Sequence, residues 1–160
     1  MDYIDVVVEI PLHTNIKYEL NKESGMLVVD RLLQTLMVYP ANYGFIPKTL
    51  AKDGDPLDAL VVCPYQLIPG CSISSKPIGI IYMEDEKGLN EKIICVPSEK
   101  VDKMYVGIDD IDDLPKQTID EFIHFFKHYK DLEVGKYVKV LGKGNANDAY
   151  KSIESYKISG

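Results

Sequence analysis

The chain has 160 residues, 46% of them hydrophobic and 27% charged, with a formal net charge of -7. That length and balance predict one globular domain over residues 1–160, with a core large enough to need neither disulfides nor a structural metal. The acidic balance disfavours a nucleic-acid-binding surface, which needs a basic face, and the apolar runs are too short to cross a bilayer, so we expect neither partner.

Short strands are predicted over the first two-thirds of the chain, and helices appear in the last third. Apolar and β-branched runs predict strands at residues 6–10, 16–20, 27–29, 59–63, 78–83 and 93–96, with a closing strand at 138–140. One amphipathic helix should follow Pro115 and run to about Tyr129, and a second should begin near Asn145 and reach Tyr156. This order predicts a small β-barrel packed by helices, in a mainly β or α+β fold.

Three cysteines, Cys63, Cys71 and Cys95, show no CxxC spacing and are odd in number. Cys63 and Cys95 lie in apolar runs, where cysteine usually behaves as a small buried hydrophobe. The first residues have neither a cationic start nor an apolar segment of the secretory type. We therefore expect reduced thiols in a cytoplasmic protein.

A cluster of three carboxylates, Asp53, Asp55 and Asp58, directly precedes the predicted strand at 59–63. A glycine and a proline within the cluster favour a tight turn, so the carboxylates should converge. Converging carboxylates repel unless a cation or solvent separates them, and hard Mg²⁺ prefers oxygen ligands. A calcium-binding EF-hand loop is excluded, because Asp58 and Pro64 stand where its glycine and glutamate belong. A solvated acidic turn is the alternative.

A second acidic group, residues 84–86, ends the predicted strand at 78–83. The chain then turns through Gly88 and returns through Lys92, as in a hairpin. The tip is either simply solvated or lies at the same barrel end as the Asp53 turn. A third acidic run, residues 109–113, is interpreted as a solvated loop that leads into the first helix.

Several other side chains have both a chemical and a structural interpretation. Arg31 is the only arginine, and its planar donor group suits a phosphate, although chance also explains a single residue. Tyr39 and Tyr43 bracket a predicted turn over residues 39–44 and would either donate to phosphate or pack at a core edge. His124 and His128 lie one helical turn apart. Packing or a subunit contact is favoured over a shared metal, because the intervening glutamate of zinc proteases is missing.

Taken together, these segments resemble the family I (soluble) inorganic pyrophosphatases over nearly the whole chain. The resemblance lies in the order and spacing of Glu9-Ile10-Pro11, Lys17-Tyr18-Glu19, Val29-Asp30-Arg31, Tyr39-Pro40-Ala41-Asn42-Tyr43-Gly44, Asp53-Gly54-Asp55-Pro56-Leu57-Asp58 and His124-Phe125-Phe126-Lys127-His128-Tyr129-Lys130.

The resemblance implies a five-stranded, OB-like β-barrel with flanking helices, one of them C-terminal. It also implies a homohexamer with His124 and His128 at subunit contacts. The implied activity is Mg²⁺-dependent hydrolysis of pyrophosphate to two orthophosphates, by direct in-line attack of a metal-activated water. Several Mg²⁺ ions per site and no covalent intermediate are expected.

The family's functional positions carry over to fifteen residues of this chain. Asp55 resembles the base for the attacking water. The residues that resemble metal ligands or outer-sphere acids are Asp53, Asp58, Asp85, Asn90, Glu9 and Glu86. The residues that resemble phosphoryl donors are Lys17, Arg31, Tyr39, Lys92, Tyr129 and Lys130. Glu19 and Tyr43 resemble supporting residues.

Two consequences follow from this assignment. The seven acids outnumber the four bases, so an empty site should repel an anionic substrate and need metal ions to accept it. Asn90 stands where the family has a metal-binding aspartate, which predicts weaker Mg²⁺ binding at one site, and the adjacent Glu91 could substitute after a small loop shift.

A catalytically impaired, phosphate-ligand-binding barrel is the alternative that Asn90 favours. An OB-type nucleic-acid module is disfavoured by the net charge.

Overall fold

A computed structural model describes residues 3–158. Its strands are β1 (Ile4–Ile10), β2 (Ile16–Leu20), β3 (Leu27–Leu32), β4 (Asn42–Phe45), β5 (Asp58–Val61), β6 (Ser72–Asp85), β7 (Gly88–Pro97) and β8 (Val138–Asn145). Its α-helices are α1 (Lys116–His128) and α2 (Ala146–Tyr156), and short 3₁₀ turns occupy Lys103–Tyr105 and Ile111–Asp113. Within the described residues, no helix is long and apolar enough to cross a membrane.

Five strands form a ring in the order β1, β4, β5, β7, β6, and β6 pairs back to β1. The β5–β7 pair is parallel and the other pairs of the ring are antiparallel. Closing a sheet on itself leaves few unpaired edges. The ring confirms the predicted β fold and fits the OB-like architecture. The predicted closing strand at 138–140 is longer and pairs only with β6, outside the ring, so the closure comes from β1.

The buried strands pack apolar side chains on both of their faces. Along β7, Ile94 joins a core cluster that contains Phe122 and Phe125 of α1. Its neighbour Ile93 joins a second cluster that contains Ile153 of α2. Because successive side chains of a strand point to opposite faces, each helix covers one of these clusters. Burial on both sides explains why these runs are continuously apolar rather than alternating.

Two predictions about loops are wrong. The chain bends at Pro40 and Ala41, but strand β4 begins at Asn42 inside the predicted 39–44 turn. A Cβ on Gly44 would lie 1.8 Å from the carbonyl oxygen of Val7, so this glycine serves close strand approach. The 109–113 run is not a simple solvated loop, because it contains a 3₁₀ turn with a capping box.

Strands β2 and β3 form a separate two-stranded sheet beside the ring. Lys17 of β2 is the register partner of Arg31 of β3, and the pairing shifts immediately after Lys17. A bulge of this kind re-aims side chains, and here it lies where two cations of the predicted site sit side by side.

Candidate active site

A cleft of about 210 Å³ lies where the end of β1, the β2–β3 sheet, the turn before β5, the β6–β7 hairpin and the segment after α1 meet. All fifteen residues carried over from the family line it: Glu9, Lys17, Glu19, Arg31, Tyr39, Tyr43, Asp53, Asp55, Asp58, Asp85, Glu86, Asn90, Lys92, Tyr129 and Lys130.

Backbone and threonine hydrogen bonds build the acidic turn. The Thr49 hydroxyl donates to the Ile46 carbonyl at 2.6 Å and accepts from the Leu57 N–H at 2.9 Å. The Asp55 N–H donates to Asp53 Oδ1 at 3.0 Å, and Gly54 takes φ +87°. Aspartate caps and a left-handed glycine are ordinary turn chemistry, so the local sequence is sufficient to fold the carboxylates into one place.

Lys92 is the most buried cation of the cleft, with only 2% of its side chain exposed. Its Nζ lies 2.7 Å from Asp58 Oδ2 and 2.6 Å from the Tyr43 hydroxyl. The parallel register of β5 and β7 places Asp58 directly opposite Lys92. A buried ammonium tolerates the loss of water only with such partners, so the carboxylate and the lysine stabilise each other's charged forms.

At the tip of the β6–β7 hairpin, Asp85 is buried and only 6% exposed, whereas Glu86 and Lys87 are exposed. The Lys87 N–H donates to Asp85 Oδ1 at 2.9 Å, and the Asn90 amide donates to Asp85 Oδ2 at 3.3 Å. Lys130 Nζ lies 3.4 Å from both Asp85 and Glu86. Burial opposes ionisation of Asp85, but the Lys87 N–H and the Lys130 ammonium outweigh it and lower the pKa of this carboxyl.

The remaining carboxylates crowd each other. Burial raises the pKa of Glu9 to about 7, against the stabilising Leu20 N–H, with further increments from the Asp58 and Glu19 charges. Burial also raises the pKa of Asp53, and the Asp58 and Asp55 charges add to that effect. These mutual effects mean that the acids converge on one region of the cleft, as the acidic-turn pattern predicts.

Three phenols form one side of the cleft. The rings of Tyr39 and Tyr43 are 5.3 Å apart, and those of Tyr39 and Tyr129 are 6.5 Å apart. Burial raises the pKa of all three hydroxyls well above the usual value, and nearby carboxylates such as Asp58 add to the increase. The phenols therefore stay protonated at neutral pH and can donate hydrogen bonds.

The donor set suits a hard divalent cation. Its carboxylate and amide oxygens are the ligands that Mg²⁺ and related ions prefer. Burial, with a smaller contribution from neighbouring carboxylate charges, raises the pKa values of Glu9 and Asp53. Within residues 3–158, no three His, Cys, Asp or Glu side chains are already arranged to hold one ion. Asp58 and Asp85 instead contact lysines, so metal binding requires side-chain adjustment.

Sequence reasoning missed three lysines of the cleft: Lys22, Lys87 and Lys136. With them, seven cationic side chains face seven acids among the described lining residues, so the predicted seven-to-four excess of acid is wrong. Lys22 follows the β2 motif and Lys87 follows Glu86 at the hairpin tip, so adjacency to motif residues was the available signal. Lys136 lies six residues beyond Lys130, on a loop that has no recognisable pattern.

The predicted substitution of Glu91 for the missing aspartate is also contradicted. Glu91 accepts hydrogen bonds from the Ser152 and Tyr156 hydroxyls of α2, the latter at 3.1 Å. Asn90 lines the cleft, whereas Glu91 is not among its lining residues. Since neighbouring residues of a strand point to opposite faces, a small loop shift cannot exchange the two.

His124 and His128 lie outside the cleft, on the exposed side of α1. Their rings are 4.7 Å apart, and His128 Nδ1 is 2.7 Å from Asp131 Oδ2.

Comparison with known proteins gives one consistent result. The family model for inorganic pyrophosphatase matches residues 6–158. A protein of Sulfolobus acidocaldarius named inorganic pyrophosphatase is 54% identical over 153 residues, covering 96% of this chain and 88% of that protein. A Gluconobacter oxydans protein of the same name is 54% identical over 150 residues, covering 94% and 87%. The solved inorganic pyrophosphatase of Helicobacter pylori superposes with a TM-score of 0.95 at 50% identity, covering 97% of this chain and 91% of that one.

Proposed function

The chain belongs to the inorganic pyrophosphatase family, and from that membership we propose how the residues of the cleft divide the work of catalysis. The protein is an inorganic diphosphatase: it hydrolyses pyrophosphate to two orthophosphates with the help of a divalent metal. The observation that carries the proposal for the site is the meeting of all fifteen family positions in one cleft. Nothing in the comparisons favours the impaired binding barrel.

The metal is Mg²⁺, with several ions per site, and its oxygen ligands come from the acidic turn and the hairpin tip. The residues that hold it are Asp53, Asp58, Asp85 and Asn90, with Glu9 and Glu86 in outer positions. Such ions lower the pKa of a coordinated water and neutralise charge on phosphoryl oxygens. Lys92 and Lys130 contact Asp58 and Asp85, two of the acids that would hold the metal, and both ammonium groups line the cleft that would receive the phosphate oxygens.

Asp55 accepts the proton of the attacking water. It lies on the exposed part of the acidic turn, and its own N–H is bound to Asp53, which fixes its backbone. The water attacks phosphorus in line with the leaving phosphate, without a covalent intermediate. A base within hydrogen-bond reach of the water supplies roughly 10²–10⁴-fold in rate.

The phosphate groups are held by cations and phenols that remain charged or protonated. Lys17, Arg31, Lys92 and Lys130 offset phosphoryl charge, and Tyr39 and Tyr129 donate hydrogen bonds. Glu19 and Tyr43 support them, and Tyr43 accepts from Lys92 at 2.6 Å. Preorganised donors of this kind act in a partly dry cleft, where each is worth more than in water.

Phosphate release from pyrophosphate during a Mg²⁺ titration, with a chelator as blank, tests this function. We expect chelator-abolished turnover and a loss of about 10²-fold or more in Asp55→Asn. Asp102→Asn, an exchange at a distant 3₁₀ cap, is the matched control and should retain wild-type turnover. Folded protein that releases no phosphate at any Mg²⁺ concentration would contradict the proposal.

At the level of the whole protein, we propose one domain over residues 1–160, a homohexamer and a cytoplasmic location. Residues 1–2 and 159–160 of that domain lie outside the described residues. Exposed His124 and His128 are proposed subunit contacts, and light scattering coupled to size exclusion tests this. We expect six chains in the wild type and fewer in a His124→Ala, His128→Ala double variant, whereas a wild-type monomer would contradict the proposal.

A further inference from the structure

A buried carboxylate, Glu133, lies between two cations of the cleft. Only 8% of its side chain is exposed. Its Oε1 is 3.0 Å from Arg31 Nη1 and 3.6 Å from Lys136 Nζ. Both cations line the cleft, whereas Glu133 is behind them and is not a lining residue. Glu133 Oε1 therefore contacts both Arg31, on β3, and Lys136, on the loop after α1.

The loop that carries Glu133 is continuous with Tyr129 and Lys130, the proposed phosphate-binding residues that follow α1. The Glu133 N–H donates to the Lys130 carbonyl at 3.0 Å, and the Lys136 N–H donates to the Glu133 carbonyl at 3.4 Å. Two consecutive turns thus fix the spacing between Lys130, which contacts Asp85, and Lys136. These backbone hydrogen bonds fix the position of Glu133, and its carboxylate in turn orients the side chains of Arg31 and Lys136.

The Arg31–Glu133 contact leaves donors unused. Among residues 3–158, Arg31 Nε and Glu133 Oε2 are buried and have no hydrogen-bond partner. Native proteins rarely leave such groups unpaired without a reason. Arginine has five N–H donors, so a contact through Nη1 and a buried Nε still leave the donors of Nη2 for a second anion. This geometry suits a side chain that is oriented by one carboxylate while it binds a phosphate.

Fixing these two cations has a clear thermodynamic advantage. Arginine and lysine side chains both lose rotamer entropy when they are immobilised. If a buried carboxylate has already restricted them in the free protein, less of that cost falls on substrate binding. A surface carboxylate would do this poorly, because solvent screens it.

Building on the proposed function, we propose that Glu133 is a positioning residue that holds Arg31 and Lys136 as one phosphate-binding unit. In this unit Lys136 is a further contact for the phosphate groups of pyrophosphate. Removing the carboxylate then weakens the binding of phosphate groups more than it slows the chemical step.

Steady-state pyrophosphate hydrolysis at saturating Mg²⁺ tests the proposal on Glu133→Gln, Glu133→Ala and Lys136→Met. We expect KM to rise about tenfold in Glu133→Ala and in Lys136→Met, with a smaller change in kcat, as for a loss of uniform binding. Glu133→Gln should fall between wild type and Glu133→Ala, because its amide oxygen still accepts from Arg31. In the Glu133→Ala, Lys136→Met double variant, the two effects should not add.

The matched control is Glu154→Gln, which breaks the exposed pair with Lys157 on α2 and should leave KM unchanged. Circular dichroism and thermal midpoints identify variants that do not fold. If Glu133→Ala is one of them, Glu133→Gln and Lys136→Met carry the test. Calorimetric titration with inorganic phosphate and Mg²⁺ gives a binding readout that does not require turnover, and the affinity should fall in parallel with the rise in KM.

These measurements distinguish failure of the positioning role of Glu133 from failure of the proposed function. If the wild type hydrolyses pyrophosphate but folded Glu133 variants keep its KM and phosphate affinity, the positioning role is wrong and the function stands. A lower KM in Glu133→Gln would also overturn the positioning role, because the carboxylate would then compete with phosphate for Arg31. If the wild type does not hydrolyse pyrophosphate, the proposed function fails, and the phosphate titrations still decide the role of Glu133.

Discussion

At the scale of single residues, Asn90 is the position where we expect this chain to depart from the family's pattern. Its amide donates to Asp85 Oδ2 at 3.3 Å, so it stabilises the Asp85 carboxylate and adds no charge to the acidic tip. Glu91 cannot replace the lost charge, because the Ser152 and Tyr156 hydroxyls hold it on the opposite side of β7. Burial and the Glu91 charge together raise the pKa of Tyr156 to about 12, so its hydroxyl remains a donor.

Restoring the aspartate should strengthen metal binding. In Asn90→Asp a second carboxylate faces Asp85, and a divalent cation relieves the repulsion between them. We expect the Mg²⁺ concentration for half-maximal activity to fall about tenfold, equivalent to ~1.4 kcal/mol. The metal-free protein should lose about 1 kcal/mol of stability from the added repulsion. Activity across a Mg²⁺ titration and urea unfolding in chelator measure the two effects.

A matched control separates the site from the added charge. Asn147→Asp makes the same exchange at an exposed position of α2, and we expect it to leave the Mg²⁺ dependence unchanged. Identical Mg²⁺ curves for Asn90→Asp and the wild type would show that Asn90 does not limit metal binding.

At the scale of secondary-structure elements, strand β4 shows where local signals mislead. Pro40 and Gly44 both favour a turn, and the local sequence predicts one. The strand forms because its residues pair with β1 on one side and β5 on the other, which is information that lies elsewhere in the chain. Gly44 lies opposite Val8 in that pairing, and the close approach of the two backbones excludes a side chain.

A side chain at Gly44 should therefore disrupt the ring. In Gly44→Ala the new Cβ would lie 1.8 Å from the Val7 carbonyl oxygen, so β1 and β4 must separate. We expect a loss of at least about 3 kcal/mol, or no folding, because backbone atoms cannot yield as a flexible side chain does. Urea unfolding followed by circular dichroism measures the change.

The comparison is Gly25→Ala in the β2–β3 turn. Gly25 has φ +73°, and a Cβ added there would meet no other atom within 4 Å, so only backbone strain of about 1–2 kcal/mol is expected. Equal losses in the two variants would mean that the contact with Val7 is not what requires glycine at position 44.

Elements with a clear apolar period can be predicted from the sequence, and those that depend on distant pairing cannot. The two helices and the apolar strands follow from periodicity and caps, such as the capping box at Asn145. Pairing partners leave no local signal, so the sequence could not show that β1 closes the ring and that β8 lies outside it. The motif residues of the site could be recognised, whereas Glu133 and Lys136 become meaningful only when the loop after α1 is seen beside β3.

At the scale of the whole molecule, the need for a metal ion depends more on where charges lie in the cleft than on the total charge. The described lining of the cleft carries equal numbers of acidic and basic side chains. Simple repulsion of an anionic substrate therefore does not explain a need for metal. We expect the need to arise locally, because burial and, to a smaller extent, neighbouring carboxylate charges such as that of Asp58 raise the pKa values of Glu9 and Asp53.

The buried Glu9 carboxyl should make the metal-free protein less stable as the pH rises. The pKa of Glu9 increases from 4.5 to about 7, mainly because the side chain is buried. Between these two values the folded protein binds more protons than the unfolded chain, so the free energy of unfolding decreases with pH. The contribution of Glu9 is fully present below pH 4.5 and is lost as the pH passes through about 7. We expect a loss of about 1–2 kcal/mol, below the full value of the shift because the side chain is partly exposed.

The contribution of Glu9 is measured by urea unfolding of the wild type and of Glu9→Gln in chelator, at a pH near 5 and at a pH near 8. The glutamine keeps an oxygen for the Leu20 N–H but cannot ionise, so the variant should gain about 1–2 kcal/mol relative to the wild type between the two pH values. Glu23→Gln, at an exposed turn, controls for the loss of one negative charge. If the stability difference between wild type and Glu9→Gln is the same at both pH values, Glu9 is not the group that the fold forces toward its neutral form. The carboxylate crowding that we connect to metal binding would then have to lie in the turn of Asp53, Asp55 and Asp58 alone.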